Sequence, residues 1–215
     1  MSQIAVLTGD IVNSTQLSPE QLDQALEALK QATDEISAWH ANSTQTTTIF
    51  GRRGGDGWQA MLQASELSLR AALFLRASLM SAGPFQTRIA AASGSGTLNK
   101  KAQSDPNYAH GSAFTQSGRL LDQLPRNRLM QHAQGGTLSA SFLLADHISR
   151  EWTQAQAMAM SLALAPSRGT QQDMADKLQI SRQAVAQALR AAGYTAIHGA
   201  IELIETELRE TSQDA

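Results

Sequence analysis

The chain has no cysteine. That excludes disulfide frameworks, thiolate nucleophiles, thiolate zinc sites and iron–sulfur clusters together. No stretch approaches eighteen consecutive apolar residues, so no segment reads as a membrane span, and Met1 to Asp10 has no basic region before its short apolar run. The expectation is a soluble, cytoplasmic protein without a membrane partner. Neither sign of charge dominates: 17 Lys+Arg face 19 Asp+Glu, for a net charge of −2, which excludes a basic coat for non-specific nucleic-acid binding. Aromatic residues are only 5% and charged residues 17%, yet hydrophobic residues reach 42% of 215 positions, enough for a packed core rather than disorder. This length fits one medium domain with a smaller appendage.

Along the chain, Ile4 to Leu7 is a short apolar run ending in Thr8, Gly9 and Asp10, which suits a buried strand with the acid at its exit. Ser18, Pro19 and Gln21 form a helix start with a capping box, and Leu22, Leu26, Leu29, Ile36 and Trp39 continue it to about His40. Thr46 to Phe50, the glycine-rich Gly51 to Gly57 and the apolar Trp58 to Leu62 read as a hairpin with Asp56 at its turn. A helix capped by Ser65 runs to Gly83 and Pro84, a strand spans Gln86 to Ala92, and Ser93 to Tyr108 is a polar loop. Gly111 to Leu124 is helical, Thr137 to Ser139 is a candidate last strand, and a helix follows to Arg150. This order predicts an α+β sandwich, an antiparallel-rich sheet with helices mainly on one face.

Strand signals end at Arg150, which places a boundary near Glu151 and divides the chain into 1–150 and an all-α part, 151–215. Within the latter, Thr170 with Asp173 forms a capping box, Ser181 starts a further helix, and Ile197, Ile201, Ile204 and Leu208 mark a last one. Lys177, Arg182 and Arg190 form a locally basic stretch before five acids between Glu202 and Asp214.

The five histidines show no metal-ligand spacing, and no Walker, dinucleotide-binding or nucleophile-elbow motif is present. The remaining chemistry is acidic. Asp10 and Asp56, each preceded by glycine, converge if the hairpin pairs beside the first strand. Two carboxylates ~4 Å apart repel by roughly 4 kcal/mol at an effective dielectric of about 20. Mg²⁺, which takes one or two carboxylates plus substrate phosphates, would offset this, as would a raised pKa. Val12, Asn13, Ser14 and Thr15 form a polar turn whose amides can face a phosphate. The plainer alternative makes Asp10 a strand-end turn former and Asp56 a hairpin residue.

Thr8 through Thr15 resembles the first metal motif of class III nucleotide cyclases, and Gly55, Asp56, Gly57 and Trp58 resemble the second. Small bacterial SatD-family proteins open similarly. Arg88 to Gly96 and Gly111 to Leu120 match the later cyclase strand and helix in order and spacing, so the resemblance covers residues 1–150. It implies a ferredoxin-like, cyclase-like sandwich. It also implies that Asp10, Asp56 and the Ile11 carbonyl hold Mg²⁺ or Mn²⁺ against a nucleoside triphosphate, and that Arg119 steadies the transferring phosphate. Three positions depart from the family: Thr115 replaces its helix asparagine, Arg52 its base-reading lysine and Tyr108 its partner acid. Cyclases of this kind build their sites between two subunits, which implies a homodimer.

In the second part, Ala175, Leu178, Ile180, Val185 and Leu189 occupy the packing positions of a helix-turn-helix, resembling bacterial transcription regulators. Arg182, Gln183, Gln187 and Arg190 would then face base edges, with Thr170, Gln171 and Ser181 near phosphates. A trihelical packing module is the alternative. The isoleucine stripe is either core against its own domain or a dimer seam. The expected function is a nucleotide- and metal-sensing regulator that binds a DNA operator. Two other readings stand beside it: an active divergent cyclase regulated by its helix-turn-helix, and an interaction module that has lost its nucleotide site.

Overall fold

A computed structural model describes residues 3–39, 48–97 and 100–213. His40, Thr46 and Thr47 of the expected elements lie outside these residues. The first part of the chain runs β1 (Gln3–Ile11), α1 (Pro19–Ala38), β2 (Thr48–Arg53), β3 (Gly57–Leu62), α2 (Ser68–Ala82), β4 (Thr87–Ser95), α3 (Ser112–Gln123), β5 (Met130–His132) and α4 (Gly136–Arg150). Its five strands form one mixed sheet in the order β2-β3-β1-β4-β5, antiparallel except for β4 with β5.

Period-two alternation along β1 divides the sheet's two faces. Ala5, Leu7 and Ile11 join Trp58, Ala60, Leu62, Ile89 and Ala91 in the larger core, under α1, α2 and α4. Ile4 and Val6 join Met61 and Ile49 on the opposite face, where Ala113 and Phe114 of α3 cover them. The helices are thus divided unevenly between the faces, as expected, with α3 alone on the second. The start of α1 is fixed by its sequence: Ser18 accepts from Gln21 N–H at 3.2 Å, the Gln21 side chain accepts from Ser18 N–H at 2.9 Å, and Pro19 follows.

Three expected elements differ. Ser65 does not cap the second helix but opens the 3₁₀ turn Ser65–Leu67, and α2 begins after it at Ser68 without a side-chain cap. The last strand is Met130–His132, not Thr137–Ser139, which lie in the first turn of α4. Met130 to His132 pair with Ile89 to Ala91, and Gly136, at φ 73, supplies the left-handed turn into the helix. Strand β4 also runs on to Ser95, so the first residues of the expected loop belong to the sheet.

After Arg150 the described residues hold helices and no strand: α5 (Gln154–Leu164), α6 (Gln171–Leu178), α7 (Arg182–Ala191) and α8 (Tyr194–Gln213). Their buried residues belong to the same core cluster as the larger sheet face. Helix α2 makes this continuity. It is buried from Ser68 to Ala77, with the sheet and α1 on one side and α5 on the other. Among the described residues no helix is long and apolar enough to cross a membrane.

Candidate functional site

The register of three strands builds the site. Asp10 of β1 lies opposite Gly57 of β3 and opposite Arg88 of β4, and the β2–β3 turn places Asp56 directly before Gly57. Gly54, at φ 68, makes that turn possible, and Ile11 N–H donates to the Asp56 carbonyl at 3.2 Å. Gly9 serves packing rather than chain reversal. A Cβ there would meet the Trp58 ring at 2.5 Å and the Arg88 carbonyl. The Trp58 indole N–H donates to Thr87 Oγ1 at 2.8 Å, and Thr87 Oγ1 donates to the Asp10 carbonyl at 2.7 Å. One chain of hydrogen bonds therefore fixes the backbone that carries Asp10.

Two cavities meet at the acids. The first, of about 450 Å³, is closed by α3 and lined by Asp10, Asp56, Arg53, Arg119, Thr115, Phe114, Leu121 and Asp122, among others. The second, of about 640 Å³, is lined by Asp10, Asp56, Ile11, Val12, Asn13, Arg88, Arg126 and Leu129. Helix α3 is held over the sheet by the buried contact of Thr8 Oγ1 with Ser117 Oγ at 2.8 Å, to which Gln59 Nε2 adds a donor at 3.0 Å. This sets Thr115 and Arg119 in the wall of the cavity that Asp10 also lines, with the Thr115 hydroxyl donating to the Gly111 carbonyl at 3.3 Å.

The counter-charge for the acids is Arg88. Its Nε donates to Asp10 Oδ1 at 2.8 Å and its Nη2 to Asp10 Oδ2. That hydrogen-bonded fork holds the guanidinium pKa above its ordinary value, with added attraction from Asp56 and Asp122. Ser14 Oγ donates to Asp56 Oδ2. An all-oxygen set of two carboxylates beside a backbone carbonyl suits a hard divalent cation completed by phosphate oxygens. Asp10 nonetheless already has an arginine on both oxygens, and among the described residues no group of three or more His, Cys, Asp or Glu forms a metal cluster. A cation here has to share Asp10 with Arg88.

The other expected nucleotide residues divide. Asn13, at φ 54, begins a tight turn that continues into the short 3₁₀ helix Ser14–Gln16, so Thr15 lies in that helix. Val12 N–H is committed to the Gln86 carbonyl at 2.9 Å. Arg52 points to the α1 side, donating to Asp23 Oδ1 at 2.8 Å and to the Gly55 carbonyl at 3.1 Å. Tyr108, half exposed, lies under Lys101 and lines neither cavity. The hairpin residue that does face the first cavity is Arg53, one position on, because alternation along β2 sends it to the α3 face. Sequence reasoning also passed over Arg88, Arg126 and Asp122 as site residues. A single charge in the otherwise apolar segment Ile89 to Ala92 and its neighbours was the available signal for Arg88.

In the all-α part, α6 and α7 meet through a short turn in which Gln179 is left-handed at φ 55. Thr170 Oγ1 accepts from Asp173 N–H at 3.2 Å, and Ser181 Oγ accepts from Ala184 N–H at 3.1 Å. Both hydroxyls therefore cap helices. Val185 and Leu189 are buried, while Gln171, Arg182, Gln183, Gln187 and Arg190 are exposed. Ile180, expected to pack, is instead 44% exposed, and Met174 takes a core position. The α8 stripe is used within the chain: Ile197, Ile201 and Ile204 are buried in the shared core. It is therefore not a free dimer seam.

Comparison with protein-family models, curated proteins and solved structures finds no match to this chain.

Proposed function

We propose that this chain is a DNA-binding transcription regulator in which a divergent, cyclase-like α+β part senses a nucleotide, with Mg²⁺ or Mn²⁺ held at Asp10 and Asp56. In this reading α6 and α7 form a helix-turn-helix, and two copies present two α7 helices to one operator in the cytoplasm. The distribution of arginine carries the reading. Of thirteen arginines, eight are engaged by Asp10, Asp23, Asp146, Glu205, Gln131 or the Tyr194 ring. The other five have no side-chain partner among the described residues: Arg53, Arg119 and Arg126 around the two cavities, and Arg182 and Arg190 on α7. Guanidinium is the side chain best suited to phosphate and to guanine edges, so both groups point to anionic or nucleic-acid ligands.

The test selects duplexes from a randomised pool with the purified full-length chain and measures their binding by fluorescence anisotropy. Enrichment of a sequence, with affinity lost in Arg182→Ala and Gln187→Ala, is the expected result. No enrichment overturns the DNA-reading part. For the sensor part, Asp56→Ala removes Mn²⁺-dependent nucleotide binding in calorimetry, and full retention refutes the site.

A second reading, a divergent nucleotide cyclase, is favoured by Arg119 and Thr115 lining the cavity that holds both acids. Incubation with each of the four nucleoside triphosphates and Mn²⁺, followed by product separation and mass detection, distinguishes it. A cyclic product absent in Asp56→Ala makes the chain an enzyme, and four intact nucleotides leave the sensor.

A further inference from the structure

We infer that the ligand of this site is a nucleotide phosphorylated at both its 5′ and its 3′ positions, and that Arg53 selects for the second phosphoryl group. The inference rests on the nucleotide reading and deepens it. Asp10 and Asp56 line both cavities, so they form a ridge between two lobes. Guanidiniums stand on each side of it: Arg53 and Arg119 belong to the first lobe only, and Arg88 and Arg126 to the second only. Because Arg88 is forked onto Asp10, the second lobe keeps one arginine without a partner, Arg126, while the first keeps two.

A single 5′-polyphosphate chain fits such a site poorly. Placed in one lobe, it leaves the guanidiniums of the other unpaired. The ridge joins the end of β1 to the turn that enters its neighbour β3, and strand neighbours lie about 5 Å apart, the scale of one ribose ring. A ribose seated over the ridge sends its 5′ and 3′ substituents to opposite lobes. The first lobe also offers a place for the base, since Phe114 and Leu121 line it beside the guanidiniums. Arg53 is well placed to reach a phosphoryl group there: its Nη1 lies 3.7 Å from where a Cβ on Gly118 would be, so the guanidinium rests against a part of α3 that has no side chain. Bidentate pairing of an arginine with a phosphate gives the contact both strength and direction.

The experiment compares, by calorimetry on the full-length chain with Mn²⁺, nucleoside 5′-diphosphates and nucleoside 3′,5′-bisphosphates of all four bases. Each pair has the same base and the same number of phosphorus atoms and differs in where they are attached, the bisphosphate carrying about one more negative charge near neutral pH. For at least one base the 3′,5′-bisphosphate binds tighter by about tenfold or more. Arg53→Gln removes that preference by lowering bisphosphate affinity more than 5′-diphosphate affinity, whereas Arg126→Gln weakens both ligands alike. Arg53 and Arg126 are exposed, and circular dichroism of the variants checks that they fold as the parent does. Equal affinity within every pair, or equal losses for both ligands in Arg53→Gln, overturns the inference and leaves the nucleotide reading standing. Absence of binding by every ligand overturns both.

Discussion

Asp10 and Asp56 can share one end of the sheet because the β1–β4 register puts Arg88 beside Asp10. Sequence reasoning reached the two acids and the need for a compensating charge. The partner itself came from a strand 78 positions away in the chain, whose pairing no local pattern encodes. If Arg88 and a divalent cation compete for Asp10, Arg88→Ala raises Mn²⁺ affinity by roughly an order of magnitude, read by calorimetry. Unchanged affinity would mean that the fork does not compete. His132 gives a second residue-scale prediction. Buried against Phe142, it accepts from Gln134 N–H through Nδ1 at 3.1 Å and lies 3.3 Å from Ser93 Oγ through Nε2. Burial lowers its pKa from 6.5 to about 4. The unfolded chain therefore binds the proton more readily than the fold does. The stability due to the neutral ring is complete above about pH 6.5 and is lost as pH falls towards 4, by about 3 kcal/mol in all. Urea unfolding of His132→Gln should show a shallower decline over that interval, and an identical slope would assign the acid sensitivity elsewhere.

Helix α2 decides how the elements hold together. It has a polar requirement that its apolar sequence hides: Arg70 and Arg76 are both buried. Arg70 forks onto Glu205 of α8 at 2.6 and 3.1 Å and donates to the Leu164 carbonyl at the end of α5 at 3.2 Å. Arg76 pairs with Asp146 of α4 at 3.1 Å, and burial pulls its pKa below the ordinary value. Removing Arg70 leaves the buried Glu205 with only the half-exposed Arg209, at 3.0 Å, as counter-charge, so Arg70→Met costs about 3 kcal/mol. Arg70→Met combined with Glu205→Leu recovers most of that loss in denaturant unfolding. If the double variant is no better than the single, the pair contributes more than neutralisation. Elements with chemical start signals were legible in the sequence, as α1 and α6 illustrate through the capping boxes at Ser18 and Thr170. Strand β5 was not. Three residues cannot display a period, and their pairing with β4 depends on contacts about 40 positions distant. Likewise the site's acids were legible, Asp10 at the exit of a strand and Asp56 at a hairpin turn. Arg52 and Arg53 were not separable without knowing which face of β2 each takes.

For the whole molecule, a net charge of −2 means that the proposed DNA binding cannot rest on a general field and has to be local. The only charged residues on α7 are Arg182 and Arg190, both exposed and without partners among the described residues. Each phosphate neutralised on duplex DNA contributes about −0.9 to the slope of log K against log salt concentration. Two phosphates neutralised by one copy therefore give a slope of about −2, and four neutralised by two copies give about −4. The slope thus reports stoichiometry independently of any structure of the complex. With the α8 stripe consumed by the core, a pair of copies has to meet elsewhere or be brought together by the DNA itself. In the second case the slope changes from the shallow to the steep value as protein concentration rises. Where Arg190 meets a phosphate, the steep slope falls by about 2 in Arg190→Ala, because each copy then neutralises one phosphate fewer. Where it meets a base edge, the affinity falls with the slope unchanged. Anisotropy titrations from about 50 to about 200 mM salt separate these outcomes. Slope and affinity both unaffected by Arg190→Ala would place the DNA on a surface other than α7.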